Sequence, residues 1–305
     1  MPSRRAIVPP RLSHARQVTA GLAAAALLML VPAAAHAGPA DLYYERSVMA
    51  VANQRCGLFN ADLTSALESA QAQARGAALR AGVGNAVLVA AGQRAWNRAA
   101  QTPCGSKDIA MAAARVRAAF DGYSRLQQMT FPGDLSSWRA DRIQAQRTMT
   151  WRLAQSARFG QDRLNFGLAG QAGASGLIAV VSFADGAQPY AARLVLRDET
   201  RASQPCLGQG GQGLAARMPL PGARRAFLAE ARSDADSSLL PHGAASGVAF
   251  RFPRAAADAL ANLDPREAVA VQFLFEGQGG ESERTAYIEV GDFAAGRAFL
   301  AAGQR

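Results

Sequence analysis

The spacing of apolar side chains changes once along this chain, near its middle. From Pro39 to about Phe131 they recur every three or four positions, the period of a helix with one buried face. Asp41 to Cys56 places Leu42, Met49, Ala52 and Cys56 near one side. Asn60 or Asp62 suits the cap of a second helix with the stripe Leu63, Ala66, Leu67, Ala70 and Ala74, ended by Gly82. Residues 85–101 carry Val87, Leu88, Ala91, Ala95 and Trp96 and stop at Pro103, and Ser106 caps a segment with Ile109, Ala113, Val116, Phe120, Tyr123 and Leu126 at helical spacing. Phe131-Pro132-Gly133-Asp134 reads as a turn, and a further helix is predicted over Leu135–Arg147, with Trp138 and Ile143 available to a core. Alanine-lined stripes let helices approach closely, so residues 38–147 are expected to form an antiparallel bundle.

Beyond that the period shortens. Leu177–Phe183 is an apolar run, Tyr190–Leu196 alternates, and Gly247–Phe252 and Val269–Phe275 read as strands, the last with Val269, Val271, Phe273 and Phe275 on one face. Gly277–Glu281 is a hairpin-like loop leading into a strand over Thr285–Val290. Helices are predicted over Ala255–Leu263 and, capped by Asp292, over Phe293–Ala302, while Met149–Gln155 suits a first strand. Residues 198–225 read as a long surface loop. The expected class is α+β: the N-terminal bundle, then a small mixed or antiparallel sheet over 148–305 with helices on one face.

The first 37 residues stand apart. Arg4, Arg5, Arg11 and Arg16 precede an apolar run from Val18 to Val31, then Pro32 and the small residues Ala33–Ala37, with no acid before Asp41. That is the order of a secretory signal peptide. At 1.5 Å per residue the run spans roughly 21 Å, short of the roughly 30 Å of a bilayer core, so cleavage is expected and no transmembrane segment in the mature chain. Ser3-Arg4-Arg5-Ala6-Ile7-Val8 partly fits a twin-arginine signal, but Pro9 and Pro10 depart from it. The expected localisation is periplasmic or secreted.

Cysteine use agrees with an oxidising compartment. Three pairings are open to Cys56, Cys104 and Cys206, and Cys56 with Cys104 is favoured because both fall in the helical half. The net charge is +10, and it is unevenly placed: residues 38–160 hold 15 basic and 8 acidic groups, whereas 161–305 hold 14 and 15. Outside the cytoplasm such asymmetry suggests either a solvated basic face or an anionic lipid or acidic glycan as partner, not nucleic acid; an envelope protein is the other partner expected. Candidate anion-binding residues are Arg94 and Arg98, and Arg139 and Arg142, each pair read as one helical turn apart with Trp96 or Trp138 nearby.

The inventory excludes several chemistries. Two of three histidines, His14 and His36, belong to the leader, so a zinc site built from several imidazoles is impossible in a mature chain keeping only His242. No Gly-x-Ser-x-Gly elbow is present for a hydrolase nucleophile. Gly208-Gln209-Gly210-Gly211-Gln212-Gly213 has dinucleotide-binding spacing, but Thr200–Pro205 ahead of it is polar where a buried strand is required, so it reads as a loop and no cofactor is expected. Asp234 and Asp236 begin like a calcium loop, yet Leu239 and Ala245 stand where glycine and the bidentate acid belong. A Cys206–His242 thiolate pair has nothing in the sequence to assemble it. Paired carboxylates remain, with Asp134, Asp141, Glu276 and Glu289 as candidates. The expectation is an exported, soluble, non-catalytic binding or scaffolding protein of a bacterial-type envelope; the alternative is a periplasmic hydrolase using two of those acids.

Overall fold

The computed structural model describes residues 38–301 apart from 144, 172–173, 209–211 and 278–279. The expected leader lies outside the described residues.

Four helices come first: α1 (Pro39–Cys56), α2 (Ala61–Arg80), α3 (Asn85–Gln101) and α4 (Lys107–Ala119). Their ends are written locally. Asp41 Oδ2 takes the Gly38 N–H at 3.0 Å at the start of α1, and Gly57 ends it in the left-handed region at φ 61°. Asn60 Oδ1 accepts the Leu63 N–H at 2.9 Å, and Ser106 Oγ accepts the Ile109 N–H at 3.3 Å, each satisfying a donor the helix leaves unpaired. α1 packs against the other three. Its last residue, Cys56, is bonded to Cys104, just ahead of α4 and 48 positions along the chain. α4 stops at Ala119 and does not run on to Leu126; Tyr123–Arg125 is a separate single turn entered through Gly122.

The helix predicted over Leu135–Arg147 is absent. β1 (Gln128–Pro132) and β2 (Ser137–Asp141) form an antiparallel hairpin there, with Phe131 opposite Trp138. Trp138 and Ala140 point inward while Ser137 and Arg139 point out, an alternation too short to separate from helical spacing by eye. Tertiary contact decides it: Trp138 is fully buried and its Nε1 donates to Val290 O at 2.8 Å.

The remaining strands are β3 (Thr150–Phe159), β4 (Asp162–Gln171), β5 (Ala174–Ser182), β6 (Ala191–Arg197), β7 (Arg224–Leu228), β8 (Ala231–Asp234), β9 (Val248–Phe252), β10 (Ala268–Gly277) and β11 (Gly280–Glu289), with α5 (Arg254–Asn262) and α6 (Phe293–Ala301). They build two antiparallel sheets where a single small one was expected: β1-β2-β3-β4-β5-β9-β8 and β11-β10-β6-β7. One hydrophobic core lies between them, with Leu153, Phe166, Val181 and Phe250 from the first and Leu194, Val271, Phe273 and Ile288 from the second. Phe293 and Phe299 of α6 and Leu260 of α5 belong to the same core. The outer face of β4 and β5 is covered in part by Leu239 and Leu240, which pack on Ala169, Ile178 and Val180.

α2 carries the helices onto this core. Ser69 Oγ donates to Ala295 O at 2.9 Å, and Gly76 leaves room for Asp292, whose Oδ1 would stand 2.0 Å from any Cβ at that position. The segment 198–225, read as a surface loop, is pinned: Arg197 reaches Ala202 O, Cys206 N–H reaches Glu267, and Arg217 reaches Arg266 O.

Candidate functional site

The four candidate arginines part company. Arg139 and Arg142 are not one helical turn apart, because the helix proposed to carry them is a strand. Arg139 lies on the exposed side of β2 and donates to Gln128 Oε1 at 2.9 Å. Arg142 is buried: its Nε and Nη2 reach Phe299 O at 2.8 and 2.6 Å, its Nη1 reaches Tyr123 O and Leu126 O, and the guanidinium lies 3.6 Å over the Phe299 ring. Burial pushes its pKa down, and its position closes the C-terminal end of α6. It is a packing cation.

Arg94 and Arg98 do share one flank of α3. Arg94 stands 6.0 Å over the Tyr44 ring of α1, and Arg98 joins a cleft of about 460 Å³. Met49 and Leu67 floor the cleft, Val116 and Phe120 wall it, and Arg46, Arg98 and Arg115 rim it, against one acid, Glu45. The cleft exists because α4 is lightly seated: only Ile109 and Ala113 are buried along it, so its Ala112–Arg115–Val116–Ala119 flank stands over α1 without closing on it. Arg46 is held in place by Ala70 O, with burial lowering its pKa and Glu45 opposing. Arg98 and Arg115 make no ion pair among the described residues. An apolar floor of this size beneath uncommitted guanidiniums can hold an apolar chain with an anionic end. Sequence reasoning found Arg98 and missed Arg46, Arg115 and the floor. Their spacing on α1 and α4 is legible, but which helix stands off is not.

The candidate carboxylates gather in part. Glu289 is fully buried, and it accepts the Asp134, Leu135 and Ser136 N–H groups at 2.5, 2.9 and 2.8 Å and the Ser136 hydroxyl at 3.1 Å. Gly133 permits this, since a Cβ there would meet Glu289 Oε2 at 2.6 Å. Arg217 Nη1 lies 3.0 Å from Asp134 and 3.6 Å from Glu289. Asp141 accepts from Gln128 and from the Ile143 N–H, apart from the other two. A hydrolytic pair needs one carboxylate with a lone pair facing substrate; Glu289 spends its oxygens holding the 133–136 turn. The neighbouring Asp292 is paired through both oxygens to Arg80 at 2.9 Å, and burial pushes its pKa up against that guanidinium.

Cys206 carries a free thiol, pushed up in pKa by burial first and then by Glu267, the reverse of an activated nucleophile. His242 lies elsewhere, its carbonyl bound by Arg163. Half of the glycine-rich run, 209–211, lies outside the described residues, and no strand occupies 198–207 ahead of it. Among the described residues no group of three or more His, Cys, Asp or Glu is placed to hold a metal ion. Comparison of the chain with protein-family models, curated proteins and solved structures gives no match, so the site is read from its own geometry.

Proposed function

We propose that this chain is an exported, non-catalytic binding protein of a bacterial-type cell envelope, and that the cleft between α1 and α4 takes an anionic amphiphile. The apolar chain lies on Met49, Leu67, Val116 and Phe120, and the anionic end meets Arg98 and Arg115. The observation that carries this reading is the coincidence of an apolar floor with two arginines, Arg98 and Arg115, that form no ion pair among the described residues. Export is supported by the leader pattern of the first 37 residues and by the Cys56–Cys104 bond, which persists in oxidising compartments. Among the described residues no helix is long and apolar enough to cross a membrane.

Calorimetric titration with dodecyl phosphate below its micelle concentration tests the reading, with dodecyl maltoside as the uncharged comparison. Saturable binding of the phosphate is expected, weakening as salt rises from about 0.05 to 0.5 M, because counterions screen the partly exposed guanidiniums. Arg98→Gln with Arg115→Gln should weaken it at least about tenfold, the loss of charge-assisted contacts of roughly 1.5–3 kcal/mol each. Equal binding of both detergents, or none of either, would refute the anionic-amphiphile reading, and preference for a uronic-acid oligosaccharide would move it to acidic glycan.

A further inference from the structure

The far end of the β3–β4 hairpin holds a second basic cluster with no carboxylate partner among the described residues. β3 and β4 turn over at Gly160 and Gln161, and the register places Ser156 opposite Asn165, Ala157 opposite Leu164 and Arg158 opposite Arg163. Side chains alternate across a strand, so the two arginines stand together with Ser156 and Asn165 on one face, while Leu164 goes to the core from the other. Like charges directly opposite each other in an antiparallel pair destabilise it.

Neither arginine has a carboxylate within ion-pairing distance among the described residues. The hairpin's own acid, Asp162, is engaged by Arg284 at 3.3 Å and by the Ala184 N–H at 2.9 Å. Arg163 spends one N–H on His242 O at 2.7 Å, which ties the 241–242 segment beside the pair. Asn165 donates to Leu239 O and Leu240 O and accepts the Ser156 hydroxyl at 2.7 Å, so both small polar side chains are already satisfied. Between these groups lies a cavity of about 240 Å³ bordered by Arg158, Arg163, Asn165 and His242. It is below the roughly 300 Å³ at which drug-sized ligand sites begin, and thus of a size for one small group. Its unspent hydrogen-bonding capacity is mostly donors: the Arg158 fork, the rest of Arg163 and a ring nitrogen of His242.

We infer that this cavity is an oxyanion site, in which Arg158 and Arg163 jointly hold one phosphate-type group beside the His242 loop. A guanidinium fork matches two oxygens of such a group, and a bound dianion converts cross-strand repulsion into a bridge. The phosphate is either free in solution or the exposed group of a lipid. The site is separate from the α1–α4 cleft and does not depend on it.

The test is a titration of the purified protein with inorganic phosphate, against chloride at matched ionic strength, read by the thermal midpoint and by amide shifts of 156–165. Saturable stabilisation by phosphate is expected, with shifts confined to the hairpin and the 239–243 segment. Arg158→Gln, which breaks no described bond, should weaken phosphate by about tenfold or more. Arg158→Glu should raise the midpoint of the free protein by pairing with Arg163 and abolish the phosphate response. Displacement of the protein from phosphatidic-acid vesicles by inorganic phosphate would identify a lipid headgroup as the source; phosphate binding without vesicle binding would identify a solute. Phosphate and chloride acting alike, or Arg158→Gln titrating like the parent, would overturn the proposal.

Discussion

Arginines gather at two places on this molecule under opposite conditions. At the junction of the end of α2, the 264–267 loop and the residues ahead of α6, Arg80, Arg197, Arg217 and Arg266 are each matched by a carboxylate, three of them through both oxygens: Asp292, Glu267 and Asp264. Around the α1–α4 cleft, Arg98 and Arg115 form no ion pair among the described residues, and Glu45 is the one acid in the lining. The chemistry is identical and the bookkeeping of partners differs. A guanidinium taken out of water needs a carboxylate or, as at Arg142, several carbonyl acceptors, because desolvation of an unsatisfied charge costs several kcal/mol, whereas one left at a rim is solvated at no cost to the fold. Commitment therefore marks the junction as structure and leaves the rim free for a ligand.

The sharpest way to break the comparison is at Arg197 and Glu267, which are 4% and 1% exposed. Glu267→Ala leaves a buried cation only Glu199 at 3.7 Å and Ala202 O, strips the Cys206 N–H of its acceptor, and should cost about 3 kcal/mol in urea unfolding. A loss below about 1 kcal/mol would mean that the junction is not held by its pairs. Next is the staple. Replacing Cys56 and Cys104 by serine frees a loop of 48 residues and should cost about 3–4 kcal/mol in the loop-entropy model. Hydrogen exchange should then quicken in α1, α3 and α4 while the core strands stay protected.

Arg80→Met comes third, at roughly 3 kcal/mol at neutral pH, and it carries a pH signature. Asp292 already has a raised pKa from burial, and without Arg80 that shift grows. A carboxyl whose folded pKa exceeds its unfolded value is favoured in the folded state while protonated and loses that advantage as pH rises through the folded pKa. The stability deficit of Arg80→Met against the parent should therefore shrink on acidification below that value. A deficit independent of pH would contradict the assignment. Smallest of all, Arg98→Gln and Arg115→Gln should move stability by less than about 0.5 kcal/mol, as surface changes do, while weakening the amphiphile. If either destabilised the protein as junction arginines do, the distinction between the two groups would fall.

Legibility follows the same divide. Helix starts at Asn60 and Ser106 are visible because a cap and its target lie three residues apart. Val269, Val271 and Phe273 are legible as one apolar strand face, and all are buried, though so are Ala270 and Leu274 on the other face. The hairpin of β1 and β2 was read as turn and helix, since five-residue strands offer too few positions to fix a period. β4 went unread although Leu164, Phe166 and Leu168 alternate; recognising it would have brought Arg158 and Arg163 face to face.

What the residues determined alone was local: the helix starts at Asn60 and Ser106 and the inward faces of the longer strands. Which arginines are spoken for was decided only in three dimensions. Arg197 meets Glu267 across 70 positions and Arg80 meets Asp292 across 212, and those meetings depend on strand register and helix seating that no short window of sequence contains. The arginines of the cleft and of the hairpin that meet no carboxylate among the described residues are the remainder of that pairing, visible only once the chain has folded.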